Sequence, residues 1–304
     1  MKFRKIFFSK LLPKRVIKVF LDNLIYFSDF TLEEYFKSLT LRRRNQLLKN
    51  SLLSIGVGYR NSDPNKNETW LISSLFLNIF NKDEKLILFD VGANIGFYSE
   101  LLLTNFTKSI IYAFEPNPIT FDLLKKRKIG ENKNFRCLNL GLSNESIETV
   151  IYTYSNDLIA GQASLSKDVF KILHNSDDLT FYDVKLVTLN EFCKNENVKN
   201  IDLLKIDTEG FEFEVLIGAS DLLKKGRISV IQFEFNEMNV VKRRFLKDFY
   251  ELLEDYYFFR ISFGELIDIS VYKSEYEIFW YQDILCILKS EKKILDQVCK
   301  YVIK

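Results

Sequence analysis

The stretch Leu86–Glu100, LILFDVGANIGFYSE, decides the fold. An apolar run, Leu86–Phe89, ends in Asp90. A tight turn holding Gly92, Asn94 and Gly96 follows, and helical apolar spacing begins. This is the strand–turn–helix entrance of a nucleotide- or nucleoside-binding α/β domain. Gly92 and Gly96 carry no Cβ where backbone must approach a ligand, and both tolerate positive φ. Asn94 is one of the few other residue types that tolerates the left-handed region. Unpaired amides at the start of the next helix can seat an anionic group.

Outward from this turn, strand and helix patterns alternate with short connections, which predicts a mostly parallel sheet. Strands are expected at Leu86–Val91, Ser109–Phe114, Phe135–Leu140, Ile201–Ile206, Ile228–Phe235, Phe258–Ser262 and Phe279–Leu288, with Leu266–Tyr272 as a hairpin arm. Helices are expected at Phe97–Thr104, Phe121–Lys128, Phe211–Leu223 and Lys242–Tyr256, with Thr188 capping a short one to Cys193. An excursion at about residues 145–187 reads as a strand-rich insertion. The expected organisation is a basic helical extension, residues 1–80, followed by one domain, residues 81–304.

Acidic residues recur at the carboxyl ends of predicted strands: Asp90, Glu115, Asp207 with Glu209, and Glu234. In an open α/β sheet that edge is where ligands bind. Glu115 follows the second strand, where a carboxylate accepts hydrogen bonds from a ribose diol. Asp207 and Glu209 are the candidate bases, because two nearby carboxylates can separate their pKa values. His174, in the insertion, is an alternative base because imidazole titrates near neutrality. Gly161–Leu165 reads as a covering loop, with Gln162 and Ser164 as acceptor contacts and Glu234 as a structural or substrate contact.

Three ordered motifs, Asp90-Val-Gly-Ala-Asn-Ile-Gly96, Phe114-Glu-Pro-Asn-Pro118 and Leu204-Lys-Ile-Asp-Thr-Glu-Gly-Phe-Glu212, make the chain resemble the FkbM-type methyltransferases. Val215-Leu-Ile-Gly-Ala219 and Thr188-Leu-Asn-Glu-Phe192 extend the likeness, which covers roughly Leu86–Asn236. The resemblance implies a Rossmann-like class I methyltransferase fold, a mostly parallel seven-stranded sheet with an antiparallel last strand. It implies S-adenosylmethionine as cofactor, with Asp90, Gly92, Asn94 and Gly96 at its methionine end and Glu115 on the ribose, Asn117 nearby. Gly141-Leu-Ser-Asn144 stands where members often have Ala-Leu-Ser-Asp, which makes Ser143 the expected adenine contact. The implied reaction is O-methylation of a hydroxyl, on a sugar of a bacterial surface glycan or on another secondary metabolite. An NAD-dependent oxidoreductase also fits the glycine turn and Glu115, and a non-catalytic scaffold that kept the fold is a third reading.

Composition bounds these readings. Hydrophobic content of 47% and charged content of 28% over 304 residues are ordinary for a well-cored protein. Four dispersed cysteines without CxxC spacing and a single histidine argue for reduced thiols and against a metal site. The net charge of +2 is unevenly spread: residues 1–50 hold twelve Lys/Arg against four Asp/Glu. Basic charge gathered at one end, away from the predicted edge, argues against a nucleic-acid partner. Phe3, Phe7 and Leu11 share one helical face, so residues 1–28 have two readings, a helix pair packed on the domain or a peripheral anchor on an anionic membrane. No stretch reaches the roughly 18–20 apolar residues of a span. The expected location is cytoplasmic, with contact at the inner membrane face as the further possibility.

Overall fold

The computed structural model describes residues 36–58, 65–155, 163–173 and 175–303. Two compact units divide between Ser51 and Leu52. The first contributes most of helix α1, Leu41–Ser54, which buries none of its residues. The amphipathic segment 1–28 and the expected cap at Thr31 lie outside the described residues.

The second unit, Leu52–Lys304, includes helices ahead of the first strand. Helix α2, Asn65–Trp70, runs into a π-helical stretch, Leu71–Phe76, and a short α3, Leu77–Ile79. The wider turn buries Leu71, Ile72, Leu75 and Phe76 together. They join one face of the main sheet, among Leu88, Leu102, Val230 and Leu285.

That sheet has eight strands in the order β10-β9-β11-β8-β7-β1-β2-β3. They are β1 Ile87–Val91, β2 Ile110–Phe114, β3 Phe135–Leu138, β7 Ile201–Ile206, β8 Ile228–Phe235, β9 Tyr256–Ser262, β10 Glu265–Asp268 and β11 Gln282–Leu288. Parallel pairing joins β3, β2, β1, β7 and β8. β11 runs antiparallel to both β8 and β9, and β9 to β10. The Rossmann-like class stands; the eighth strand is the expected hairpin arm, recruited to the edge. The remaining strands, β4 Gly141–Leu142, β5 Ile147–Tyr154 and β6 Leu179–Val187, form a separate three-stranded sheet. This is the strand-rich excursion, and it also carries a helix the sequence reading left out, Lys167–Leu173.

Strand alternation splits the core into two layers. Phe89, Val91, Leu204, Ile206, Phe233 and Phe235 face one side, and Leu88, Leu203 and Val230 the other. The abundant phenylalanines fill the first layer, where Phe233 stacks on Phe249 at 4.6 Å and Phe114 meets Phe192 edge-on at 4.8 Å.

One expected helix is broken and another is shortened. Phe211–Leu223 becomes Glu212–Ile217 and Ser220–Lys224, with the break at Gly218-Ala219. A Cβ on Gly218 would stand 2.1 Å from the Ser143 carbonyl oxygen, so the chain turns here to let another backbone close in. Lys242–Tyr256 shortens to Leu246–Leu252, and a preceding helix, Met238–Lys242, ends where Arg243 takes φ 52°. Apolar periodicity continues through the break at Gly218-Ala219, which is why pattern alone joins its two halves.

Candidate active site

In sheet order β1 lies between β2 and β7, so the chain reverses direction across the sheet there. The crevice beyond the carboxyl ends at such a switch point is the expected ligand site. A pocket opens at that point. Its lining comes from the turns after three strands: Gly92 and Asn94 after β1, Glu115 and Pro116 after β2, Asp207, Thr208 and Glu209 after β7. The small sheet closes it with Leu142, Ile151 and Leu186, and Ala163 and Leu165 join them from either side of Ser164, which bridges to Tyr152.

Gly92 sits at φ 78°, and its amide donates to the Phe114 carbonyl at 3.0 Å. A Cβ here would lie 1.7 Å from the Asp207 carbonyl oxygen. The glycine thus lets the first turn touch the third. Asn94 follows at φ 48°, in the left-handed region. Its amide donates to Glu115 Oε2 at 2.8 Å, while the Asn117 amide donates to Oε1 at 2.9 Å. Each oxygen of Glu115 therefore accepts one backbone N–H, and a carboxylate retains lone pairs for two further donors. Burial pushes its carboxyl up to about 7, against those two amides.

That shift has a sign. The folded pKa lies above the ordinary 4.5, so its contribution to stability is complete below about 4.5 and lost as pH rises through about 7. Glu68 and Glu212, also raised to about 7 by burial, slope the same way. Thermal melts of the unliganded protein from acid to neutral pH are expected to show Tm falling across that window. Glu115→Gln should flatten part of the fall; an unchanged slope would remove Glu115 as a contributor.

Beside the cavity runs a row of polar side chains in register: Asp90 on β1 opposite Lys205 on β7, and Lys205 opposite Gln232 on β8. Asp90 is fully buried; Oδ2 accepts from Ser99 Oγ at 2.7 Å, and Oδ1 lies 3.3 Å from Lys205 Nζ. Lys205 also pairs with Asp207 at 3.3 Å. Burial opposes its charge, but Asp207, Asp90 and Glu68 outweigh burial and hold the ammonium protonated above its ordinary range. Tyr98 donates to Gln232 Oε1 at 2.6 Å and places its ring under Lys205. Lys205→Met would leave the Asp90 carboxylate buried without a counter-charge. The expected loss is about 3–5 kcal/mol in denaturant unfolding, and a loss under about 1 kcal/mol would contradict this pairing.

The Asp207–Gly210 turn is held from behind by Glu212. Its Oε1 accepts from the amides of Thr208 at 2.8 Å and Gly210 at 3.2 Å. Glu209 takes φ 53° and Gly210 φ 99°, so two successive residues occupy positive φ at the cavity wall. For glutamate that conformation costs about 1–3 kcal/mol. The Ser164 hydroxyl donates to the Glu209 carbonyl at 3.0 Å, tying the small sheet to this turn.

The other expected site residues divide. Asp90 faces Lys205 and Ser99 and is absent from the cavity lining. Gly96, at φ 85°, packs where a Cβ would meet Leu124 Cδ1 at 2.3 Å; close helix packing requires that glycine. Asn117 is buried, and its side chain accepts from the Ile119 amide as the cap of helix Pro118–Lys126. Ser143 is buried and donates to Asn144 Oδ1. Glu234 accepts from Asn236 Nδ2 at 2.8 Å and stands opposite Asp283 on β11. His174 and Gln162 lie outside the described residues. Glu68, Glu212 and the double pairing of Lys205 were not anticipated. Lys205 and Asp207 at i and i+2 of a strand do share a face, so that pair was legible. Glu68, raised by burial and influenced by Lys205, Asp207, Asp283 and Asp90, carried no local pattern.

A family model described as the methyltransferase FkbM domain matches residues 90–260, from the first turn to β9. The chain belongs to the FkbM methyltransferase family. Among its relatives are the hexuronic acid methyltransferase AglP of Haloferax volcanii, 27% identical over 49% of this chain and 56% of that protein. Another is the 31-O-demethyl-FK506 methyltransferase FkbM of Streptomyces tacrolimicus, 26% identical over 44% of this chain and 60% of that protein. The 2-O-methyltransferase NoeI of Sinorhizobium fredii is 21% identical over 53% of this chain and 68% of its own. The chain thus spans a little over half the length of the first of these relatives. Among solved structures, a methyltransferase FkbM from Methylobacillus flagellatus KT aligns with TM-score 0.41 at 14% identity, covering 68% of this chain and 44% of that one.

The cofactor of this FkbM-family chain is S-adenosylmethionine. The residues present fit it: Gly92 keeps the turn free of a Cβ, and Glu115 lines the cavity with acceptor capacity on both oxygens. Family membership sets aside the NAD-dependent oxidoreductase reading. Among the described residues no group of His, Cys, Asp and Glu could hold a metal ion, all four cysteines are free, and no helix is long and apolar enough to cross a membrane.

Proposed function

We propose that this chain is an S-adenosylmethionine-dependent O-methyltransferase acting on a hydroxyl. The favoured acceptor is a sugar of a bacterial surface glycan, with another secondary metabolite as the second class. The observation that carries the reading is that Asp207 and Glu209 line the same cavity as Gly92, Asn94 and Glu115. S-adenosylmethionine supplies an electrophilic methyl group on a sulfonium. Glu115 would hold the ribose hydroxyls of the donor, and the Gly92–Asn94 turn would cradle its methionine end. Holding acceptor and donor in line supplies about 7–11 kcal/mol of the barrier reduction. A hydroxyl is a poor nucleophile while protonated, so a carboxylate that accepts its proton adds about 10²–10⁴-fold. Asp207, anchored by Lys205, and Glu209, held at positive φ, are the two carboxylates offered for that role. The names of AglP, NoeI and the FK506 enzyme support a sugar or hydroxyl acceptor.

The test is transfer of labelled methyl from S-adenosylmethionine into a cell extract, with the labelled species identified by mass spectrometry. A methyl ether on a glycan or metabolite is the expected product. A methyl ester or N-methyl product would overturn the O-transfer reading. Saturable S-adenosylhomocysteine binding without turnover on any acceptor would support the scaffold reading instead.

A further inference from the structure

None of the fourteen residues of helix α1 is buried. Its sequence, LRRRNQLLKNSLLS, contains four cations and no acid. At 100° per residue, Leu41 and Leu48 fall on one line along the axis, seven residues apart. They are 72% and 60% exposed, and Leu47 beside them is 38% exposed. Arg42 and Lys49 project about 80–100° to one side of that line, within reach of a plane on which the leucines rest. Arg44, on the other side, donates from Nε to the Leu39 carbonyl and from Nη2 to the Lys37 carbonyl, both at 3.1 Å. Those bonds hold the turn that leads into the helix and keep its third cation close to the apolar line.

Two exposed leucines in line on a helix are ordinary by themselves. Two features identify what the face fits. The polar groups along the helix are basic or uncharged throughout, so the surface repels a cationic neighbour and attracts an anionic one. The leucines are small in area, too little for a stable protein–protein core, but sufficient for shallow insertion among headgroups when basic residues add attraction. The rest of residues 1–50 adds to the same sign, with twelve Lys/Arg against four Asp/Glu.

We propose that residues 36–51, chiefly Leu41, Arg42, Leu48 and Lys49, dock this chain on the surface of an anionic lipid bilayer. The helix lies in the plane of the interface, its leucines among the acyl-chain boundary and its cations on the headgroup phosphates. This binding is independent of the methyltransferase reading and needs no acceptor or cofactor.

The experiment is flotation of the full chain with vesicles of phosphatidylcholine alone or mixed with phosphatidylglycerol. The expected result is strong flotation with the mixed vesicles at low salt, weak flotation with phosphatidylcholine, and loss at about 0.5 M salt. Arg42→Gln/Lys49→Gln should lower partitioning by about tenfold or more. Leu41→Asn/Leu48→Asn should lower it too, while leaving the charge unchanged. Both variants change exposed positions, and a wild-type melting profile checks that they fold. Equal partitioning to both vesicle types overturns the proposal. So does wild-type flotation of the two variants, which would put the binding elsewhere in the chain. If only the arginine variant loses binding, and RNA competes as well as lipid, the face is a polyanion site and the bilayer reading fails. A dimer that the leucine variant dissociates, with no flotation, assigns the face to a second copy and also overturns it.

Discussion

Asp207→Asn and Glu209→Gln are each expected to lower kcat for methyl transfer by about 10²–10⁴-fold, with S-adenosylhomocysteine affinity held within about threefold. Both residues line the cavity, but they are supported differently. Asp207 is fixed by its 3.3 Å pair with Lys205, whereas Glu209 depends on a backbone bent to φ 53° and on Glu212 holding the turn. If one is the proton acceptor and the other only orients, the single variants will differ by an order of magnitude or more, and the double variant will resemble the worse single. Full activity in both singles on the true acceptor would end the carboxylate-base mechanism. Glu209→Gly adds a separate readout. It removes the left-handed cost, so stability should hold or rise by up to about 1 kcal/mol while transfer falls. A variant that loses both would show that the glutamate side chain supports the fold.

Gly92→Ala has the second large effect. The new Cβ would stand 1.7 Å from the Asp207 carbonyl oxygen, at a residue with φ 78°. Neither the turn nor β7 can yield without moving the other, so the carboxyl edge spreads where the cofactor sits. The expected outcome is a loss of about 2–4 kcal/mol of stability and at least about 100-fold in S-adenosylhomocysteine affinity by calorimetric titration. Gly96→Ala is the control. Its Cβ would meet the tip of a leucine, Leu124 Cδ1 at 2.3 Å, which is a packing conflict away from the cavity lining. Gly96→Ala should destabilise with a smaller loss of affinity. Equal affinity losses would show that the two glycines serve the cofactor alike.

These two glycines show how far the motif could be read. Both stood in the turn with the same apparent purpose, clearance for a ligand. In the folded chain one clears another backbone at the site and the other clears a helix. Asp90 and Asn117 behave likewise: each lies in a motif that points to cofactor binding, yet one is committed to Lys205 and Ser99 and the other caps a helix. A carboxylate or amide at a strand end can face the ligand or the protein, and local spacing is the same in both cases. The broken helix after β7 is hidden for a related reason. Its apolar period survives the break at Gly218, which is imposed by the Ser143 backbone, distant in sequence.

The sequence by itself determined the architecture and the identity of the site's edge. Alternating strand and helix patterns, a Gly-Asn-Gly turn after the first strand, and acids at successive strand ends are local properties, and local periodicity reports them faithfully. What the tertiary structure decided was which polar groups meet. Lys205 lies between Asp90 and Asp207 because β1 and β7 pair in register, although more than a hundred residues separate them. Glu68 comes under the influence of the same lysine from a helix that precedes the first strand, because the π-helical turn that follows it buries against the sheet. Strand pairing and burial act across the chain, and they alone fix where a charge finds its partner.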